Sequence, residues 1–136
     1  LQALKLISDK KAIYKPQEEK LVTQATTIEK EEGLIDWHKS AAAINNQIRA
    51  FNPWPAAYAT YKNQPLKIFC AKVLPFDLSG QHYPAGTVVT VMKDEGIVVA
   101  TGEGHLLLCE VQQAGGKRLS AHVFALGHDV KCGESL

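Results

Sequence analysis

A chain of 136 residues with 46% hydrophobic content has the size of one globular domain and is long enough to bury a core. Its 15 basic and 14 acidic residues nearly cancel, so whole-chain charge announces neither a nucleic-acid nor a membrane partner, and any such partner must be met by a local patch. No apolar run approaches the roughly eighteen residues of a membrane span, and no secretory signal pattern opens the chain. Cys70, Cys109 and Cys132 are odd in number and lack ligand-type spacing, so a soluble cytoplasmic protein with reduced thiols is expected. The chain opens on Leu1 and its one methionine is Met92, which leads us to expect a segment upstream.

Residues 1–13 place Leu4 and Ile7 on one side at helical spacing, but the stretch is too short to bury that side alone and reads as the tail of a larger element. Residues 14–33 are polar and charged, with Pro16, Glu18-Glu19 and Glu31-Glu32, and read as a linker. Residues 34–136 form the domain proper. Trp37, Ala41, Ile44, Ile48 and Phe51 recur at steps of four, three, four and three, the stripe of an amphipathic helix. Asp36 or Ser40 can cap its start, and Pro53 stops it after Asn52. Two hairpins are predicted next, 56–61 with 66–74 and 87–93 with 97–101, then a strand over 105–112 and a helix over 120–126 that ends at Gly127. The fold class is therefore mainly β with α: a small five-stranded barrel of the oligonucleotide-binding type, preceded by one amphipathic helix, a linker and a remnant helix.

No catalytic set and no metal site stands out. His38, His82, His105, His122 and His128 are scattered and read as surface or satisfied histidines. Thr101-Gly102-Glu103-Gly104 lacks the spacing of a phosphate loop and reads as a β-turn. Trp54, flanked by Pro53 and Pro55, is read as a core plug in preference to a platform for an exposed base.

Charge placement is the one signal above background. Residues 37–75 hold five basic residues (Lys39, Arg49, Lys62, Lys67, Lys72) and no acidic one, whereas 76–136 hold four basic and seven acidic. A phosphate backbone would require such a polarised domain, and a merely solvated surface would also show it. Lys67 and Lys72 are an odd number apart, so in a regular strand they face opposite ways unless a bulge intervenes. Lys117-Arg118, on a turn after Gly115-Gly116, extends the basic set.

Several of these runs occur together in a known order. Glu31-Glu32, Ile35-Asp36-Trp37, Ile48-Arg49-Ala50-Phe51 and Asn52-Pro53-Trp54-Pro55 are followed by Pro65-Leu66-Lys67-Ile68 and Pro84-Ala85-Gly86-Thr87-Val88. Val99-Ala100-Thr101-Gly102-Glu103-Gly104 and Gly116-Lys117 complete the series. The pattern resembles the C-terminal part of the methionyl-tRNA formyltransferases over nearly the whole chain. That resemblance implies formylation of methionyl initiator tRNA with 10-formyltetrahydrofolate as co-substrate, by an N-terminal catalytic domain of which 1–13 would be the last helix. It implies no catalytic residue and no cofactor in this chain, and contact of the linker and barrel with the tRNA acceptor arm. The residues expected to make that contact are the cations Lys30, Lys39, Arg49, Lys62, Lys67, Lys72, Lys117 and Arg118, and a monomer is expected. The barrels of formyltransferases acting on sugar nucleotides, of folate hydrolases, or a support domain without RNA contact are the alternative readings.

Overall fold

In the computed structural model, which describes residues 2–16, 18–75 and 83–136, the chain divides where its composition does. Leu1, Gln17 and His82, included in the sequence readings above, lie outside the described residues. Helix α1 (Gln2–Ser8) is seven residues long and leaves Leu4, Leu6 and Ile7 exposed. Single 3-10 turns at Glu19–Leu21 and Lys30–Gly33 punctuate the polar stretch, and Gly33 is its first buried residue.

Helix α2 (Ala41–Phe51) buries Ala41, Ile44 and Ile48 of the predicted stripe, with Phe51 half-buried at its end; Trp37, also buried, lies in the turn before the helix and not within it. Ser40 is its cap: its hydroxyl accepts from the Ala43 amide at 3.3 Å, while Asp36 accepts from the His38 amide instead. At the corner that follows, Asn52–Pro53 and Trp54–Pro55 are cis peptides. Pro55 and Ala56 turn inward there, and Trp54 is turned out to 59% exposure, so it is not the core plug expected from its proline flanks.

Six strands follow: β1 (Ala57–Tyr61), β2 (Gln64–Leu74), β3 (Val88–Met92), β4 (Gly96–Ala100), β5 (His105–Gln113) and β6 (Leu119–Ser120). They pair antiparallel in the order β1-β2-β5-β4-β3, with β6 on β5. β1 and β2 meet through Lys62-Asn63, both at positive φ (47° and 62°), as a right-twisted two-residue hairpin demands. Helix α3 (Ala121–His128), capped by the Ser120 hydroxyl, runs past Gly127, because Asp129 supplies the left-handed residue that ends it.

The expected closed barrel of five strands is corrected to an open sheet of six. β6 is too short to show alternation, and β1 and β3 do not pair along the sheet. Each of these edges is occupied by irregular chain. The Ile35 amide donates to the Tyr58 carbonyl at 2.8 Å beside β1. Along β3, the Val88 amide donates to Glu134 and the Gly133 amide to Val88, both at 2.8 Å. The main core lies between one sheet face and the two helices α2 and α3, with Ile44, Ile48, Ile68, Leu106, Leu108 and Phe124 in it. A smaller cluster of Val89, Val98, Ala100 and Leu107 lies on the other face.

The C-terminal tail also reaches across to β1, where the Tyr61 hydroxyl donates to the Glu134 carboxylate at 2.7 Å. That bond, with Lys62 at 3.4 Å, holds the Glu134 carboxyl below the usual carboxylate range. A depressed carboxyl contributes stability that is present above its unfolded value and lost as pH falls through its folded one. Tyr61→Phe is expected to cost about 1 kcal/mol near pH 7. In denaturant titrations at several pH values, the difference from the parent should shrink below about pH 4; a difference that stays constant down to pH 3 would show that the carboxylate is not what the hydroxyl serves.

Candidate nucleic-acid interface

Strand β2 supplies the centre of the candidate surface, and its register decides which cations share a face. Ile68 pairs with Val111 and Ala71 with Leu108, all four on the main-core side. Between them the register shifts twice, at Ile68/Cys70 and at Cys70/Ala71, so both strands carry an extra residue there. The core-facing positions 68 and 71 are therefore three apart. Lys67, opposite Gln112, and Lys72, opposite Leu107, both fall on the face away from the main core, and both are exposed. The bulge that sequence parity left open is present.

Arg118 belongs to the same neighbourhood. Its guanidinium lies 4.4 Å from the centre of the Phe69 ring, two residues beyond Lys67, and forms an ion pair with Glu110. Lys117 is exposed beside it. A cavity of about 110 Å³ opens next to Lys67, lined also by Pro65, Gln112, Gln113, Ala114 and Gly115. The 113–118 turn is held over it: the Gln112 carboxamide donates to the Gly116 carbonyl at 2.8 Å, and the Ala114 amide to the Pro65 carbonyl at 3.2 Å.

The remaining predicted cations stand elsewhere. Lys30 is exposed on the second 3-10 turn, ahead of the sheet. Lys39 is exposed before α2, and its carbonyl accepts from the Gly102 amide. Arg49 is exposed on the last turn of α2, a helix that packs on the main-core side of the sheet, opposite to Lys67. Lys62, in the β1–β2 turn, pairs with Glu134 at 3.4 Å and lies 4.9 Å from the centre of the Tyr61 ring. Sequence reasoning thus found the cations of the sheet face but not their partners Phe69 and Glu110, which only the register brings to Arg118.

Among the described residues, no group of three or more His, Cys, Asp or Glu is placed to hold a metal ion. Burial, then the neighbouring Cys70, pushes the Cys109 thiol up to about 11, which keeps it protonated and a poor nucleophile at neutral pH. His38 lies beside Asp36 at 3.2 Å, His122 beside Asp94 at 3.6 Å, and His128 stacks on Phe124 at 4.2 Å between ring centres. Their partners differ, so they form no shared acid–base pair. No helix among the described residues is long and apolar enough to cross a membrane.

The fold is an open antiparallel sheet with helices α2 and α3 packed on its main-core face and Lys67 and Lys72 exposed on the other. The model of the formyl transferase C-terminal domain matches residues 27–129, and the chain belongs to that family. It is 43% identical over all 136 residues to the methionyl-tRNA formyltransferase of Neisseria meningitidis serogroup C, of which it spans 42%. It is 44% identical to those of Magnetococcus marinus and Bacillus subtilis, the matches covering 88% of this chain and 36% and 37% of those proteins. The chain thus spans about two fifths of the length of these relatives. Among solved structures, a variant of HypX from Aquifex aeolicus shares the fold with a TM-score of 0.73 at 18% identity, over 98% of this chain and 23% of that one.

Proposed function

We propose that the chain is the C-terminal part of a methionyl-tRNA formyltransferase, and that its outward sheet face holds the acceptor arm of initiator methionyl-tRNA. The observation that carries this is the double register shift in β2 and β5, which sets Lys67 and Lys72 on one exposed face near Arg118. Identities of 43–44% with methionyl-tRNA formyltransferases support the choice of substrate. In this reading residues 1–13 close the catalytic domain, 14–33 link it to 34–136, and 10-formyltetrahydrofolate binds to the catalytic domain. Exposed Leu4, Leu6 and Ile7 on α1 are what an element separated from its packing partner would show.

Formyl transfer to an amine needs a neutral nucleophile, a stabilised oxyanion and a proton acceptor. This domain supplies none of those. Its contribution is to spend binding energy from a remote part of a large substrate on aligning the reactive amine, so its loss lowers turnover as well as affinity. Phosphate contacts position without reading bases. Lys67→Ala with Lys72→Ala should therefore weaken binding of acceptor-stem RNAs about equally whatever their sequence, and reduce the salt slope by about two. Lys93→Ala with Lys131→Ala, in the acidic half, should leave it unchanged. Fluorescence anisotropy on a panel of stems checks this; equal affinity of the folded Lys67/Lys72 variant and the parent would remove the sheet face as the binding surface.

A further inference from the structure

We propose that Trp54 is a stacking platform for an unpaired nucleobase at the end of the nucleic acid held on the cationic face. The inference rests on the nucleic-acid reading above and adds a ligand feature to it. Of the two tryptophans, Trp37 is in the core at 7% exposure, whereas Trp54 is held out in water at 59%. It is firmly mounted. Pro53 and Pro55 fix the backbone on either side, the Ala56 amide donates to the Phe51 carbonyl at 2.9 Å, and the Asn52 carboxamide donates to the Phe69 carbonyl at 3.1 Å. A rigid aromatic loses little conformational freedom when a ligand settles on it.

The charge around the corner selects the ligand. The Asn52–Phe69 bond ties Trp54 to the strand residue whose ring carries the Arg118 guanidinium. Residues 37–75 contain five cations and no carboxylate, and of these Lys67 and Lys72, on the same strand as Phe69, stand exposed on the outward face. An apolar protein surface would cover the indole and leave Lys67 and Lys72 of the outward sheet face unmatched. A nucleotide matches both, offering a π face to the ring and phosphates to the cations. Bases within a duplex are already stacked on each other, so the base that reaches Trp54 is an unpaired or terminal one.

The test uses the 136-residue chain with two RNA hairpins that share one stem, one blunt and one with a short unpaired 3′ tail. The parent should bind the tailed RNA roughly tenfold more tightly, and that RNA alone should quench the exposed tryptophan. Trp54→Ala should abolish the preference and the quench while binding the blunt stem like the parent, and Trp54→Phe should keep part of the preference. A tail preference retained by Trp54→Ala, or none in the parent, overturns the stacking role and leaves the cationic face standing. Failure of the parent to bind either RNA overturns the nucleic-acid reading, and the stacking with it.

Discussion

Gly102→Ala is expected to destabilise the domain by about 3 kcal/mol, lowering its melting temperature by roughly 10–20 °C. Gly102 lies in the 101–104 turn, against which the start of α2 docks. Its amide donates to the carbonyls of Trp37 at 2.8 Å and Lys39 at 3.1 Å, and the Ala41 amide donates back to the Glu103 carbonyl at 2.9 Å. A Cβ at position 102 would overlap the carbonyl oxygen and carbon of His38. These are backbone atoms and cannot rotate away, so α2 must shift off the sheet and give up part of the packing of Ile44 and Ile48. Gly127→Ala is the control. No atom lies within 4 Å of a Cβ there, and the position is within α3, so alanine should be neutral or stabilise by about 0.5–1 kcal/mol. Calorimetry on both variants checks the account; a Gly102→Ala protein that melts within a few degrees of the parent would show that the docking is loose.

The elements legible in the sequence are those whose signal is local. The stripe of Ala41, Ile44 and Ile48 needs only its own spacing to be read as a helix, although Trp37, read with it, lies ahead of the helix start, and Asp94 at positive φ marks the β3–β4 turn by its backbone alone, with Gly96 already in β4 opposite Met92. Pro65 misleads at that level: read as part of a turn, it sits in β2 opposite Thr60, where its carbonyl still accepts from Ala114. What could not be read depends on contacts between distant residues. The C-terminal tail occupies the β3 edge because Glu134 meets Val88, and nothing near 134 announces it. The exposure of Trp54 follows from which corner residues turn inward, and the proline flanks are compatible with either choice. For the candidate site, the cationic residues were visible and their shared face was not. Lys67 and Lys72 needed a bulge to face together, and a bulge is a property of the β2–β5 pairing rather than of either strand. Arg49, equally cationic in sequence, lies on a helix on the opposite side of the sheet, a separation invisible until the layers are built.

The affinity of this chain for acceptor-stem RNA across a salt series tests the central claim most directly. Lys67, Lys72, Lys117 and Arg118 can engage about three to five phosphates, and each engaged phosphate releases counterions, so the logarithm of affinity should fall against the logarithm of salt with a slope of about −2 to −5. Binding should be weak, tolerant of stem sequence and nearly lost at high salt. An affinity indifferent to salt, or no binding even at low ionic strength, would contradict the account and make this domain a structural support for the catalytic one.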